Sequence, residues 1–579
     1  MAVHEINGMV INTKTETKIK KETIELIKDG EIQEYKLKIE LENEESPSVY
    51  TLCWEEKQID MIGFWSSKIG FYHNLRPEWD KRCEDSKAAS GIPIASVFSK
   101  KNKNRITVAL SDPLLPTRIL AGVVEENGTL IFQIDLFSKM CSKMKEYEVV
   151  IRIDRRDIWF TDAVKSARKW YHTLGFNNAR VPQGAKDPLY SAWYSFHQRT
   201  IPEEIINECK EAVKYGMKTL IVDDGWQTDD NSRGYGYCGD WEIASSKIPD
   251  MQYFVDEIHK LGMKFMVWFS VPFVGIYSKN YEKFKGMYLK RRGNMDAYVL
   301  DPRFKVVRDF LTETYTSYVL KYGWDGLKLD FIDSFELTEE SSCDYERMDC
   351  ISVEEGVNKL LKQIYEAVTR INPDFLIEFR QYYIGPVMMQ YGNMIRVTDC
   401  PNDALMNRKY SVDLRLTCEE VPVHSDMLMW HKEDTNESVM YQLLATMFCV
   451  PQISIRFDNI TNDHKILLKN YLDFWTSHRE TLLSGEIEAW NVENAYSMAK
   501  VRKDGESVAV LYQNVVSIVE KDEKAYIFNS TGDDCIYVES KKNTSYTSYD
   551  MFGNLKESGE IKEGVNRIYL ENGGRVEII

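Results

Sequence analysis

The spacing of apolar positions changes character twice along the 579-residue chain. Up to about residue 180, short runs such as TLIFQIDLF (129–137) and YEVVIRI (147–153) are separated by polar turns, and stretches of helical spacing are scarce. Alternation over a few residues marks half-buried strands, so this region is expected to fold as an antiparallel sandwich. A helical piece, DAVKSARKWYHTLGF (162–176), leads into RVPQGAKDP, where Pro182 and Gly184 punctuate the chain.

Beyond that point apolar runs alternate with amphipathic stretches. The candidate strands are YSAWYSFH (190–197), TLIVDD (219–224), KFMVWFS (264–270), GLKLDFID (326–333), FLIEFR (375–380), MIRVTD (394–399), VPVHSD (421–426) and VPQISI (450–455). Between them lie segments with apolar residues at helical spacing, such as PEEIINECKEAVKYG and VEEGVNKLLKQIYEAV. Eight strands, each followed by a helix, predict a (β/α)8 TIM barrel. A doubly wound sheet is the alternative, but no GxGxxG follows any strand. From about residue 487 strand patterns return in YSMAKVRKDG, SVAVLYQN and KAYIFNS. The expected architecture is therefore multidomain: an N-terminal antiparallel β-sandwich (1–180), a central catalytic barrel (181–486) and a small C-terminal antiparallel β domain (487–579).

Charge and cysteine usage narrow the function. A formal charge of -17 argues against a nucleic-acid partner, which requires a concentrated basic surface. The start of the chain has no basic segment followed by an apolar core, and no apolar run is long enough to span a bilayer, so neither a leader nor a membrane partner is expected. Eleven cysteines without close pairs suggest a reducing, cytoplasmic setting rather than a disulfide framework. Oligomeric state is not readable, and a homo-oligomer stays open.

In a (β/α)8 barrel the strand C-termini converge on the active site. Reading those ends gives Trp193, His197, Asp223, Asp224, Trp268, Lys328, Asp330, Glu378, Arg380, Arg396, Asp399, His424 and Asp426. Asp330, in GWDGLKLDFID (323–333), stands at the centre of this acidic set, although a strand-end aspartate is also a common cap or turn residue. The histidines form no HxH or HExxH pair, so neither a metal nor a cofactor is expected. Paired carboxylates suit glycoside hydrolysis, in which one attacks the anomeric carbon and the other protonates the leaving oxygen. A small carbohydrate is the expected partner.

VDDGWQ (222–227), GDW (239–241), VWF (267–269), VLD (299–301) and KLD (328–330), in that order, resemble glycoside hydrolase family 36, the melibiase-type α-galactosidases, and TDCPNDA (398–404) resembles that family's SDNTDA segment. The resemblance implies that Asp330 is the nucleophile and Asp399 the acid/base of a retaining double displacement that releases terminal α-linked galactose or a related sugar. It further implies substrate contacts from Asp223, Asp224 and Trp268. Lys328 sits two residues before Asp330 on the same strand face, where its ammonium suits sugar hydroxyls and the carboxylate. Arg396, Trp226 and Arg380 complete the expected binding set, and Asp403 is a rival to Asp399.

Two segments depart from the family pattern. The glycine-rich turn expected after strand five is replaced by EFRQYYIG (378–385), and an expected GRNQ-like stretch by NMDA (294–297). Both loosen the assignment of the sugar. An α-N-acetylgalactosaminidase, an α-glucosidase, a raffinose-synthase-like transglycosylase and a non-catalytic sugar-binding protein therefore stay open.

Overall fold

The computed structural model describes residues 2–579. Two six-stranded antiparallel sheets form from the N-terminal region. Their alternation is visible in the strand Ile32–Glu45, where Tyr35, Leu37, Ile39 and Leu41 are buried and their neighbours mostly are not. This strand pairs antiparallel with Met144–Asp154, and Trp54 stacks on Phe132 at 5.3 Å within the core.

The central region forms one eight-stranded parallel sheet. Its strands, numbered one to eight in chain order, are Leu189–Ser191, Thr219–Val222, Lys264–Ser270, Gly326–Asp330, Leu376–Arg380, Met394–Arg396, Val423–His424 and Gln452–Ile453. Strand eight pairs with strand one, and parallel bridges His424↔Val450 and Leu428↔Ile453 nearly close the ring. Strand four, GLKLD, is buried at every position, as expected of a strand covered on both faces. The helix Val353–Ile371 follows it. Its N-cap Ser352 accepts from Glu355 N at 3.2 Å, acids fill its first turn, and Val357, Leu360, Leu361, Ile364 and Val368 form its buried stripe.

Three details differ from the expectation. YSAWYSFH is a strand only through Ser191; Trp193–Phe196 is a short helix and His197 is exposed with a positive φ of 49°. No α-helix follows strand five; the short link before strand six, interrupted by Gly385, Pro386 and Gly392, holds only the 3-10 turn Met388–Gln390. The C-terminal sheets, of seven and three strands, are mainly antiparallel but include two parallel pairs. One arises because the chain crosses from Glu506–Leu511 to Val516–Val519 in the other sheet before returning as Lys524–Asn529.

The chain divides into two compact units, one comprising 1–180, 224–251 and 268–393, the other 181–223, 252–267 and 394–579. Among the described residues, no helix is long and apolar enough to cross a membrane.

Candidate active site

Asp330 is the last residue of strand four, and within its unit it is surrounded by donors. Its Oδ1 accepts from Tyr383 Oη at 2.5 Å, from Phe331 N at 2.7 Å and from Arg380 Nε at 2.9 Å; its Oδ2 accepts from Trp268 Nε1 at 3.1 Å. Burial disfavours the charged carboxylate, but the charges of Arg380 and Lys328 and the hydrogen bonds from Tyr383 and Trp268 outweigh it, holding Asp330 well below the usual carboxylate range. Asp330 is thus an ionised carboxylate, only 8% exposed.

Local backbone and packing explain this arrangement. Phe331 adopts φ +62°, an uncommon left-handed conformation for a bulky residue, next to the amide that donates back to the Asp330 carboxylate. Arg380 ends strand five, and its guanidinium lies over the rings of Phe331 (5.7 Å) and Tyr383 (5.4 Å). Lys328 is buried on the face Asp330 occupies, in register with Glu378 of strand five.

Trp268 is buried in strand three. Trp226 has no exposed surface; its Nε1 donates to the Trp268 carbonyl at 2.8 Å and its ring stacks on Trp241, so it backs the Trp268 strand. Asp224 opens the turn after strand two and accepts from Gln227 Nε2 at 2.7 Å, while Gly225, at φ +113°, supplies the conformation that this turn requires. Asp223, immediately after the strand, is 5% exposed.

The N-terminal segment of the same unit reaches the loops that follow strands four and five. The buried Lys87 ammonium donates to the carbonyls of Asp333 and Phe335, both at 2.8 Å. Gly91 N donates to Tyr382 O at 2.8 Å, and Gln381 Nε2 to Ser67 O at 2.7 Å.

The second unit holds a separate charged network. Arg396, which ends strand six, pairs with Asp399 at 2.8 Å and closely with Asp426. Asp426 is fully buried and also accepts from Tyr194 Oη (2.9 Å) and Cys400 N (2.7 Å). Burial raises the Asp426 pKa, the Arg396 charge opposes that, and Asp399 adds to it. The Asp399 side chain is 56% exposed. Asp403, its rival, caps the helix Ala404–Cys418 by accepting from Met406 N at 2.9 Å.

Sequence reasoning placed Arg380 among the sugar contacts; in the structure its Nε donates to Asp330 Oδ1. It did not single out Tyr383 or Tyr194, because a tyrosine three residues past a strand, or on a short helix mistaken for a strand, carries no periodic signal. Among the described residues, no group of three or more His, Cys, Asp or Glu side chains is arranged to hold a metal ion.

The profile of the Melibiase family matches residues 183–485. The chain belongs to the Melibiase family. Among curated relatives, α-galactosidase Mel36A of Lactobacillus acidophilus is 30% identical over 131 residues, a match that takes in 21% of this chain and 17% of that protein. The sequence match thus spans less than one fifth of that relative's length. The α-galactosidase structure from Lactobacillus brevis superposes with a TM-score of 0.64 at 13% identity, covering 99% of this chain and 80% of that one. A variant of the α-galactosidase AgaA from Geobacillus stearothermophilus in complex with raffinose gives 0.63 at 14% identity, covering 99% and 82%. At these identities the structures speak for the fold of this Melibiase-family chain.

Proposed function

We propose that this chain is a retaining α-galactosidase acting on terminal α-linked galactose of small oligosaccharides, with Asp330 as nucleophile and Asp399 as acid/base. The observation that carries the reading is Asp330 itself: an ionised carboxylate closing a barrel strand, with cationic and neutral donors arranged around it and no competing carboxylate among its hydrogen-bond partners. In the first step an oxygen of Asp330 forms a bond to the anomeric carbon. The glycosidic bond breaks, and its electron pair leaves with the aglycone oxygen, which takes the proton of Asp399. Water then delivers a proton to Asp399 and attacks the same carbon, releasing the Asp330 carboxylate.

Family membership and the α-galactosidase activity of the relatives support galactose as the sugar, and the raffinose-bound relative supports a small oligosaccharide as the substrate class. Asp223, Asp224, Trp268 and Lys328 are the proposed sugar-binding groups, and Arg396 orients Asp399. Rates on aryl α-galactoside, α-N-acetylgalactosaminide and α-glucoside test the assignment. The α-galactoside is expected to be cleaved fastest, and Asp330→Asn to abolish cleavage. Equal or faster cleavage of another sugar overturns the specificity, and an active Asp330→Asn enzyme overturns the nucleophile.

A further inference from the structure

We propose that Tyr383 is a positioning residue that, with Arg380 and the Phe331 amide, occupies Asp330 Oδ1 and leaves Oδ2 as the attacking oxygen; this rests on the reading of Asp330 as nucleophile. A carboxylate oxygen offers about two lone-pair directions. Oδ1 takes three donors, at 2.5, 2.7 and 2.9 Å, whereas Oδ2 takes the Trp268 indole at 3.1 Å. Oδ1 is saturated and Oδ2 keeps a direction for bond formation. The Tyr383 phenol is wholly buried, and burial together with the Asp330 charge raises its pKa well above the ordinary value, so it is a neutral donor at every working pH.

The consequence differs between the two steps. During attack the carboxylate loses its charge, so donors on Oδ1 hold it back. During hydrolysis of the glycosyl-enzyme the ester carbonyl is Oδ1 and the departing group is the Asp330 carboxylate, whose growing charge Tyr383 stabilises. Tyr383 therefore favours release of the intermediate at some cost to its formation. Backbone contacts fix the turn that carries Tyr383, because Gly91 N donates to Tyr382 O and a Cβ on Gly385 would lie 2.6 Å from Gly91 O.

The test compares wild type with Tyr383→Phe on α-galactosyl fluoride, whose leaving group needs no proton donor. The expected result is a fall of about tenfold in kcat with a parallel fall in KM as the intermediate accumulates. The acid limb of kcat/KM is expected to move up by about one pH unit as Asp330 loses a donor. A variant with the wild-type acid limb and unchanged kcat and KM overturns the proposal. Labelling of Asp330 by a galactose-configured epoxide, followed by mass, supplies a readout that does not need turnover; its pH dependence should shift in the same direction, and an unshifted dependence counts against the role. In a crystal of the trapped glycosyl-enzyme the ester is expected on Oδ2, and an ester on Oδ1 overturns the assignment. Full activity of Asp330→Asn overturns the functional reading and this inference with it, whereas a silent Tyr383→Phe overturns this inference alone.

Discussion

Arg380 Nε lies 2.9 Å from Asp330 Oδ1, joining the last residues of two neighbouring barrel strands. The pair is largely buried, with side-chain exposures of 15% and 11%. Removing one member of such a pair costs far more than the pair's net worth, because the remaining charge keeps its desolvation penalty. Arg380→Met is therefore expected to lower kcat/KM on an α-galactoside by about 10²-fold and to raise the acid limb of the pH profile. Arg380→Lys, which keeps the charge but not the planar donor, should recover only part of the loss. Wild-type kinetics in Arg380→Met would show that Asp330 does not depend on this cation.

Asp330 also bears on stability. Its folded pKa is depressed, so it contributes stability that is present above its unfolded pKa and lost as pH falls through the folded value, in strongly acidic solution. Asp330→Asn is expected to lower stability at neutral pH, where the ionised carboxylate contributes most and the buried Arg380 loses this partner, and to flatten the acid limb of denaturation below about pH 4. A steepened acid limb would contradict the sign.

His424 titrates in a milder range. Burial lowers its pKa from 6.5 to about 4, the hydrogen bond to Ala185 O at 2.8 Å opposes the shift, and Arg396 adds to it. Because the unfolded chain takes up this proton first, stability is full above about pH 6.5 and is lost as pH falls toward about 4, by an amount on the order of 3 kcal/mol. His424→Gln should make the urea midpoint less dependent on pH across that window. An unchanged slope would remove His424 from the account.

Lys87 tests the link between the N-terminal segment and the loop that follows Asp330. Its two carbonyl acceptors, on Asp333 and Phe335, follow Asp330 within a few residues. Lys87→Met leaves both carbonyls without this donor, at about 1–3 kcal/mol each. Thermal unfolding should shift down and kcat/KM should fall about tenfold, with Lys87→Arg intermediate. A stable, fully active Lys87→Met enzyme would show that the loop needs no such anchor.

The fold was legible where period and burial agree. GLKLD, TLIV and KFMVWFS are short apolar runs between clear breakers, and each is a barrel strand. YSAWYSFH misled because its aromatics carry strand propensity, yet Tyr194 N and Ser195 N both bond to Ser454 Oγ, and the chain turns into a short helix. The acids of the candidate site were legible for a related reason: charged residues at the ends of buried strands stand out against an apolar background. The helix cap at Asp403 was compatible with its sequence position but not decided by it. Which donors meet around Asp330 was not legible, since Arg380 and Tyr383 reach it from a strand and turn about fifty residues away. The buried partner of Arg396, Asp426, is thirty residues from it and was only one of several strand-end acids.

The central claim is double displacement at Asp330. Time-resolved proton NMR of α-galactoside hydrolysis reads it most directly, by following which anomer appears before mutarotation. The account predicts α-galactose first, with the β anomer growing only at the mutarotation rate; initial release of β-galactose would contradict it.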